Sequence, residues 1–205
     1  MLKNMVNFIL VVMIFAVLAG CDKEPAKLEV PAELKGLVVD SPAAPLPDFN
    51  FKNHLGESFT KSDFEGKWSL VFFGYTSCPD VCPNTMTVLN QVTKENKTLL
   101  GESSQVVFVS VDPQRDNEKK LKSFVSFFNK DFVAATGEKQ ELLKFQDLGV
   151  IFDYEGDTNS DEYIVNHFAA IYMIDPKARE RAYILPPHSS EQVSKAISLV
   201  YNHYK

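Results

Sequence analysis

Two short, mainly apolar runs constrain the fold of this chain more than any other feature. Trp68–Phe73 and Gln105–Val111 consist mainly of Val, Leu and Phe. A strand with one face in water alternates apolar and polar residues, whereas a continuous apolar run is typical of a strand buried on both faces. Between them, Pro83–Asn96 has a proline in its first turn and apolar residues at helical spacing. Together these segments predict a strand, a helix and a second strand in a buried sheet.

The rest of the chain continues this alternation of strands and helices. A hairpin is predicted at Phe49–Phe51 and Ser58–Thr60, and a helix is predicted from a cap at Asp116 or Asn117 to Phe128. The later predicted elements are a helix (Lys139–Leu148), four strands (Val150–Tyr154, Tyr163–Val165, Phe168–Ile174, Arg181–Leu185) and a final helix capped by Ser189. We expect Phe124, Val125, Phe127 and Phe128 to lie in the core. The pattern predicts an α/β domain with a central mixed sheet flanked by helices.

Residues 1–20 resemble an export signal. Lys3 supplies a positive charge, Val6–Val17 is almost wholly apolar, and Leu18–Cys21 places small residues directly before a cysteine. This ending resembles the lipobox of bacterial lipoproteins, in which the cysteine is lipidated. The apolar stretch is shorter than the roughly 20 residues of a spanning helix, and an uncleaved anchor is the alternative. The sequence predicts a signal peptide at residues 1–20, a lipidated Cys21, and a position on the outer, periplasmic face of the cytoplasmic membrane.

The segment after Cys21 is predicted to be a tether. Prolines recur between Asp22 and Pro47 among scattered charges, which favours an extended chain. We therefore predict a lipidated, proline-rich tether at residues 21–47 and a single domain at residues 48–205.

The charge of the chain argues against nucleic acid as a partner. The formal net charge is −6, and no basic cluster is long enough to follow a phosphate backbone. The acidic loop near Asp157–Glu162 is interpreted as a solvated surface that can steer a cationic partner.

The chain has three cysteines, and lipidation of Cys21 would leave Cys78 and Cys82 in the domain. They lie between a buried strand and a helix, where ligands gather in open α/β sheets. A disulfide across so short a loop restricts the unfolded chain little. A helix N-terminus also stabilises a thiolate, so we expect a lowered pKa first at Cys82 and secondarily at Cys78. These features favour a redox-active or metal-binding pair, which can form a disulfide, over an inert disulfide or two buried apolar residues.

Three charged residues after the second apolar run have two interpretations. Asp112 and Asp116 can form a turn and a helix cap around Arg115. Alternatively, the three form a charged rim near the cysteines, where Arg115 favours a thiolate or docks a partner.

Three motifs in combination resemble the Sco (SenC) family. Gly74–Pro83 contains the CxxxC pair, Val109–Asp116 has the sequence VSVDPQRD, and His167 precedes the apolar stretch Ala170–Pro176. The resemblance extends over roughly Phe49 to Tyr201. It implies a thioredoxin-like fold and copper, as Cu(I) and also Cu(II), bound by Cys78, Cys82 and His167. It further implies a role in assembling the dinuclear copper centre of cytochrome c oxidase, with a related thiol–disulfide activity.

The donor types agree with that implication. Two thiolates and an imidazole suit copper, whereas structural zinc almost always has four protein ligands. A fourth ligand from Asp80, His54 or His188 stays open at this point. The histidines other than His167 are interpreted as surface residues, namely His54, His188 and His203.

Three functional hypotheses follow from the same residues. A metallochaperone would bind copper through all three donors and pass it to the copper-bearing subunit of cytochrome c oxidase or another copper or thiol protein. A thiol–disulfide oxidoreductase, which would make the chain an enzyme, would need Cys78 and Cys82 but not His167. A redox or copper sensor without net copper delivery would use the same residues.

Overall fold

The structure, a computed structural model, describes residues 26–101, 104–160 and 162–205, so the predicted signal peptide and Cys21 lie outside it. The strands are β1 (Leu37–Pro45), β2 (Asn50–Asn53), β3 (Ser58–Thr60), β4 (Ser69–Gly74), β5 (Gln105–Ser110), β6 (Val133–Thr136), β7 (Phe152–Glu155), β8 (Ile164–His167), β9 (Ile171–Ile174) and β10 (Arg179–Ile184). The helices are α1 (Val81–Glu95), α2 (Lys97–Leu100), α3 (Glu118–Phe128), α4 (Lys139–Leu143) and α5 (Ser190–Tyr204). Two short 3-10 helices span Lys61–Phe64 and Gln146–Leu148.

Eight of the described strands form one mixed sheet, in the order β1-β10-β9-β4-β5-β6-β2-β3. Neighbours pair in parallel from β4 through β5 to β6, and the other neighbouring strands pair antiparallel. The strands β7 and β8 form a separate two-stranded hairpin. The predicted α/β architecture with a central mixed sheet is therefore confirmed.

The two apolar runs form the centre of the sheet, as their composition predicts. Every residue of β4 is buried, and in β5 only Gln105 is partly exposed. The helices α1 and α5 pack against each other and contribute apolar faces at helical spacing. These faces consist of Met86, Leu89 and Val92 in α1 and Val193, Ile197 and Val200 in α5. Burial of these faces holds the strand–helix junction after β4 in place.

The described part of the segment predicted as an extended tether is instead packed on the domain. Residues Leu37–Pro45 form β1, an edge strand that pairs antiparallel with β10. The leucines between the prolines are buried, namely Leu28, Leu34, Leu37 and Leu46. Their burial favours docking, since each apolar side chain removed from water contributes about 1.5–3 kcal/mol. The domain therefore begins before residue 48.

Three smaller differences have local causes. The predicted helix Lys139–Leu148 ends at Leu143, and the chain tightens into a 3-10 helix before Gly149, whose φ is 75°. Phe127 is 83% exposed, because it lies two residues from buried Val125 and so faces roughly the opposite side of α3. The strand β6 was not predicted, because a four-residue strand carries little periodicity.

A leucine substitution in β1 tests whether this strand belongs to the folded domain. Leu37 is 7% exposed and Leu55 is 57% exposed. We expect Leu37→Ala to lower the free energy of unfolding by about 2–4 kcal/mol, through lost burial and a cavity. The exposed control Leu55→Ala should change it by less than about 0.5 kcal/mol. Denaturant unfolding of both variants gives the comparison, and equal small effects would mean that β1 does not contribute to the core.

Candidate metal centre

Cys78 and Cys82 lie in the turn that carries the chain from β4 into α1. The backbone N–H of Cys78 donates to the carbonyl oxygen of Tyr75 at 3.3 Å, and Cys82 lies in the first turn of α1. Cys82 is fully buried and Cys78 is partly exposed, and both are free thiols. The pair therefore occupies the carboxyl end of a central strand, as predicted, with one cysteine partly exposed and the other buried.

Gly74, the last residue of β4, makes room for the Cys82 sulfur. A Cβ atom at this position would lie 2.8 Å from Cys82 Sγ and 3.1 Å from rings of Phe72 and Phe108. A side chain here would displace the sulfur or the strand. The residue was not singled out from the sequence, although a glycine inside a strand pattern is a known sign of close approach.

His167 lies far along the chain from the two cysteines and contacts Cys82 from a different strand. It is the last residue of β8, and its Nε2 atom lies 3.5 Å from Cys82 Sγ. The donor atoms of Cys78, Cys82 and His167 all lie within 4.8 Å of one another. In the part of the chain that the structure describes, no other group of His, Cys, Asp or Glu donors has this geometry. Residues that are far apart in sequence thus form one three-donor pocket.

Two aromatic rings hold the imidazole of His167 edge-on. The rings of Phe72 and Tyr75 each lie 6.0 Å from it between centroids, at 74° and 90°. Its Nδ1 atom is buried and has no hydrogen-bond partner among the described residues. The ring is therefore oriented by packing, with Nε2 directed at a sulfur.

The two thiols differ sharply in acidity. A hydrogen bond from the Cys82 thiol lowers the pKa of Cys78 to about 3, and hydrogen bonds from His167 and the backbone N–H groups of Asp80 and Cys82 act in the same direction. The hydrogen bond with Cys78 and burial raise the pKa of Cys82. The expected lowering of the pKa is therefore wrong for Cys82, and it occurs at Cys78. The helix N-terminus favours a thiolate, but the buried Cys82 sulfur keeps its proton. This thiol then acts as the hydrogen-bond donor to the Cys78 sulfur.

Asp112, Arg115 and Asp116 do not form an exposed rim, and Asp116 is not the helix cap. All three are buried, and the N-cap of α3 is Asn117, whose side chain accepts from the N–H of Lys120. Arg115 donates from Nε to Asp112 Oδ2 at 2.6 Å. The charges are enclosed because each has a partner within the protein.

The remaining histidines, which include the candidate fourth ligands His54 and His188, bond to groups away from the sulfurs. The Nδ1 atom of His54 accepts from the N–H of Ala134 at 3.1 Å. The ring nitrogens of His188 contact Thr85 Oγ1 at 3.0 Å and the carbonyl oxygen of Ile184 at 3.1 Å. His203 Nε2 contacts the carbonyl oxygen of Ala26 at 2.6 Å. These histidines contact other groups within the fold, and Asp80 does not join the three-donor group.

The donor set fits a soft or borderline metal ion. Two sulfurs and one imidazole nitrogen match the preferences of copper, and three ligands fall short of the four of a structural zinc site. Cys78 is the more exposed of the two cysteines. The arrangement supports two kinds of chemistry, metal binding and thiol–disulfide exchange.

Comparisons with known proteins agree on one family. The family model described as SCO1/SenC matches residues 40–202. The human protein named "Protein SCO2 homolog, mitochondrial" is 32% identical over 152 residues, which cover 73% of this chain and 57% of the human one. This chain therefore matches less than two thirds of that relative's length.

Solved structures show the same fold. Arabidopsis thaliana ScoI with copper bound aligns with a TM-score of 0.72 and 25% identity over 78% of this chain and 100% of that chain. Bradyrhizobium japonicum ScoI with copper bound aligns with a TM-score of 0.66 and 26% identity over 79% of this chain and 100% of that chain. The fold is thioredoxin-like, as the resemblance implies.

The acidity of Cys78 can be tested by alkylation at different pH values. An ordinary thiol, with a pKa near 8.5, loses about tenfold in thiolate for each pH unit below that value. Because the pKa of Cys78 is lowered to about 3, we expect its rate with iodoacetamide to change less than about threefold between pH 5 and pH 8.

The modified peptides, resolved by mass spectrometry, separate Cys78 from the buried Cys82. The chain unfolded in denaturant is the control, in which both residues should show the ordinary pH dependence. A steep fall in the folded rate at Cys78 below pH 8 would contradict the assigned thiolate.

Proposed function

The chain belongs to the SCO1/SenC family, and on that premise we propose that it is a copper metallochaperone. Its cargo is copper, delivered to the dinuclear copper site of cytochrome c oxidase, and thiol–disulfide chemistry accompanies delivery. The observation that carries this proposal is the convergence of the Cys78, Cys82 and His167 donor atoms within 4.8 Å. The copper bound in the similar plant and bacterial ScoI structures supports copper as the cargo.

The pocket is suited to holding Cu(I) and to releasing it. Thiolate and imidazole ligands in low coordination stabilise Cu(I). Cu(II) is bound as well in this proposal, since a third, nitrogen donor is available. Cys78 is partly exposed whereas Cys82 is buried, so an incoming ligand of the partner reaches the metal from the Cys78 side. Transfer then proceeds by stepwise ligand exchange, with Cys82 as the enclosed end of the site.

A second candidate function is dithiol exchange, which the acidity of Cys78 favours. Its thiolate attacks a sulfur of a partner disulfide, breaking that bond and releasing one partner thiolate. Cys82 passes its proton to the released thiolate and then attacks the Cys78 sulfur, which releases the second partner sulfur as a thiolate that takes a proton from water. The partner is reduced by two electrons and this chain is oxidised to the Cys78–Cys82 disulfide. Such a step prepares a target whose own thiols must be reduced to accept copper.

We also propose that the chain is lipid-anchored through Cys21. The lipobox-like Leu18–Cys21 supports this position on the outer face of the cytoplasmic membrane. Among the described residues, none of the helices has the length and apolar character needed to cross a bilayer. In this arrangement the domain works near membrane-bound partners.

Copper titration of the reduced chain tests the metallochaperone proposal. We expect one Cu(I) per chain, and loss of this binding in Cys78→Ser/Cys82→Ser, because the remaining imidazole is a poor Cu(I) site alone. His167→Ala should weaken binding at least about tenfold. The matched controls are Cys21→Ser and His188→Ala, which should keep the wild-type stoichiometry. Unchanged binding in the double cysteine variant would refute the proposed site.

The same His167→Ala variant distinguishes the two candidate functions in cells. If copper delivery is the essential step, His167→Ala should lose cytochrome c oxidase assembly together with copper binding. If dithiol exchange alone is essential, His167→Ala should retain assembly while Cys78→Ser and Cys82→Ser abolish it. Oxidase activity of membranes from each strain, with the amount of each variant measured alongside, provides the readout.

Lipidation is tested by labelling. Cells grown with radiolabelled palmitate should incorporate label into the wild-type chain and not into Cys21→Ser, because the thioether at Cys21 would carry the lipid. The matched control is Cys78→Ser, which should be labelled like the wild type. Equal labelling of Cys21→Ser would mean that the chain is not anchored through this residue.

A further inference from the structure

The hairpin that carries His167 is not part of the main sheet. The strands β7 and β8 pair with each other, and β8 ends at His167. A two-stranded hairpin alone is at best marginally stable in water. The position of His167 therefore depends on contacts that attach this hairpin to the rest of the domain.

Side chains after β5 provide such contacts. The Tyr163 hydroxyl, just before β8, donates to Asp112 Oδ1. Arg115 donates from Nη1 to the carbonyl oxygen of Tyr163 at 2.8 Å and from Nε to Asp112 Oδ2 at 2.6 Å. The Arg115 guanidinium also lies 3.5 Å from the centroid of the Tyr163 ring. We call these three residues the Asp112–Arg115–Tyr163 cluster.

The segment that contributes Asp112 and Arg115 also holds the turn that carries the cysteines. Asp116 accepts from the N–H of Thr76 at 2.8 Å and from its hydroxyl at 2.6 Å. Asp116 also accepts from the Ser110 hydroxyl at 2.6 Å. Thr76 lies two residues before Cys78. The segment from Asp112 to Asp116 is thus hydrogen-bonded both to the turn that carries the cysteines and to the hairpin that carries His167.

Tyr75 links the cysteine turn to the hairpin of His167 more directly. Its ring faces His167 edge-on and lies 5.6 Å from the Arg115 guanidinium. Arg115 therefore lies between the Tyr163 ring of the hairpin and the Tyr75 ring of the cysteine turn. A planar guanidinium that is paired with Asp112 is suited to this place, since it stacks on aromatic rings while it donates in its own plane.

We propose that the Asp112–Arg115–Tyr163 cluster positions His167 against the thiol pair and so determines the copper affinity of the site. This inference rests on the proposed function, and it assigns these residues a positioning role rather than a ligand role. Buried charge pairs are a poor source of stability compared with apolar packing. Their occurrence between the hairpin and the cysteine turn is explained by the directional bonds that they supply.

The test removes one hydroxyl and leaves the ring. Tyr163→Phe loses the hydrogen bond to Asp112, and we expect its copper affinity to fall about tenfold, as for other groups that orient metal ligands. The Cu(II) complex should also show weaker nitrogen hyperfine coupling in electron paramagnetic resonance. The matched control is Tyr204→Phe, a tyrosine whose ring lies 4.5 Å from the guanidinium of Arg181, away from the donors. This control should bind copper like the wild type.

A double-mutant cycle separates positioning from a general loss of stability. If Tyr163 acts through His167, adding Tyr163→Phe to His167→Ala should lower copper affinity by less than about twofold further. A full additional tenfold loss in that background, or no loss in the single variant, would overturn the proposal.

A measurement without copper keeps this inference distinct from the proposed function. In the metal-free chain, the imidazole ¹H–¹⁵N signals of His167 should shift or broaden in Tyr163→Phe and stay unchanged in Tyr204→Phe. If the wild type binds no copper but these signals respond, the copper proposal fails while the positioning role stands. Unchanged signals in Tyr163→Phe would overturn the positioning role itself.

Discussion

The parallel pairing of β4 with β5 is the constraint on which the rest of this structure depends. It sets Gly74 beside Ser110, so that both strands end at one edge of the sheet. The turn that follows β4 carries the cysteines, and the segment that follows β5 carries Asp112 to Asp116. Because both strands are buried and hydrogen-bonded along their length, their ends cannot shift independently. The donor pocket is built on this rigid edge, which suits a site that needs fixed geometry.

The buried carboxylates and the guanidinium at this edge are tolerated because each finds a partner. Asp116 satisfies the N–H and hydroxyl of Thr76, and Arg115 neutralises Asp112 inside the protein. The two sulfurs are also paired with each other, since the buried thiol of Cys82 donates a hydrogen bond to the Cys78 thiolate. An enclosed acceptor without a donor would cost several kcal/mol in this setting. A single shared proton also leaves Cys78 ready as a nucleophile or ligand without exposing two charges.

Much of the fold could be predicted from local sequence, and the exceptions have physical reasons. The mainly apolar runs of β4 and β5 predict buried strands, since strands covered on both faces are rich in apolar residues. The strand β1 was missed because its prolines indicate an extended tether, while the burial of Leu37 depends on β10, which lies far along the chain. The exposure of Phe127 was missed because a count of apolar residues ignores which side of α3 each one faces. The role of Gly74 depends on a sulfur eight residues away, a contact that no periodicity encodes.

The sequence by itself determined the α/β class, the strand–turn–helix context of the CxxxC pair and, through family resemblance, the choice of His167 as the third donor. It could not decide which sulfur is the acidic one, because that depends on which is buried and which can accept the shared proton. It could not decide between a rim, a cap and a buried cluster for Asp112, Arg115 and Asp116 either. Those outcomes follow from the positions of Thr76 and Tyr163, brought to the same sheet edge by tertiary packing. Local patterns report burial and period, whereas pKa values and ion pairs follow distances in three dimensions, which only the folded chain defines.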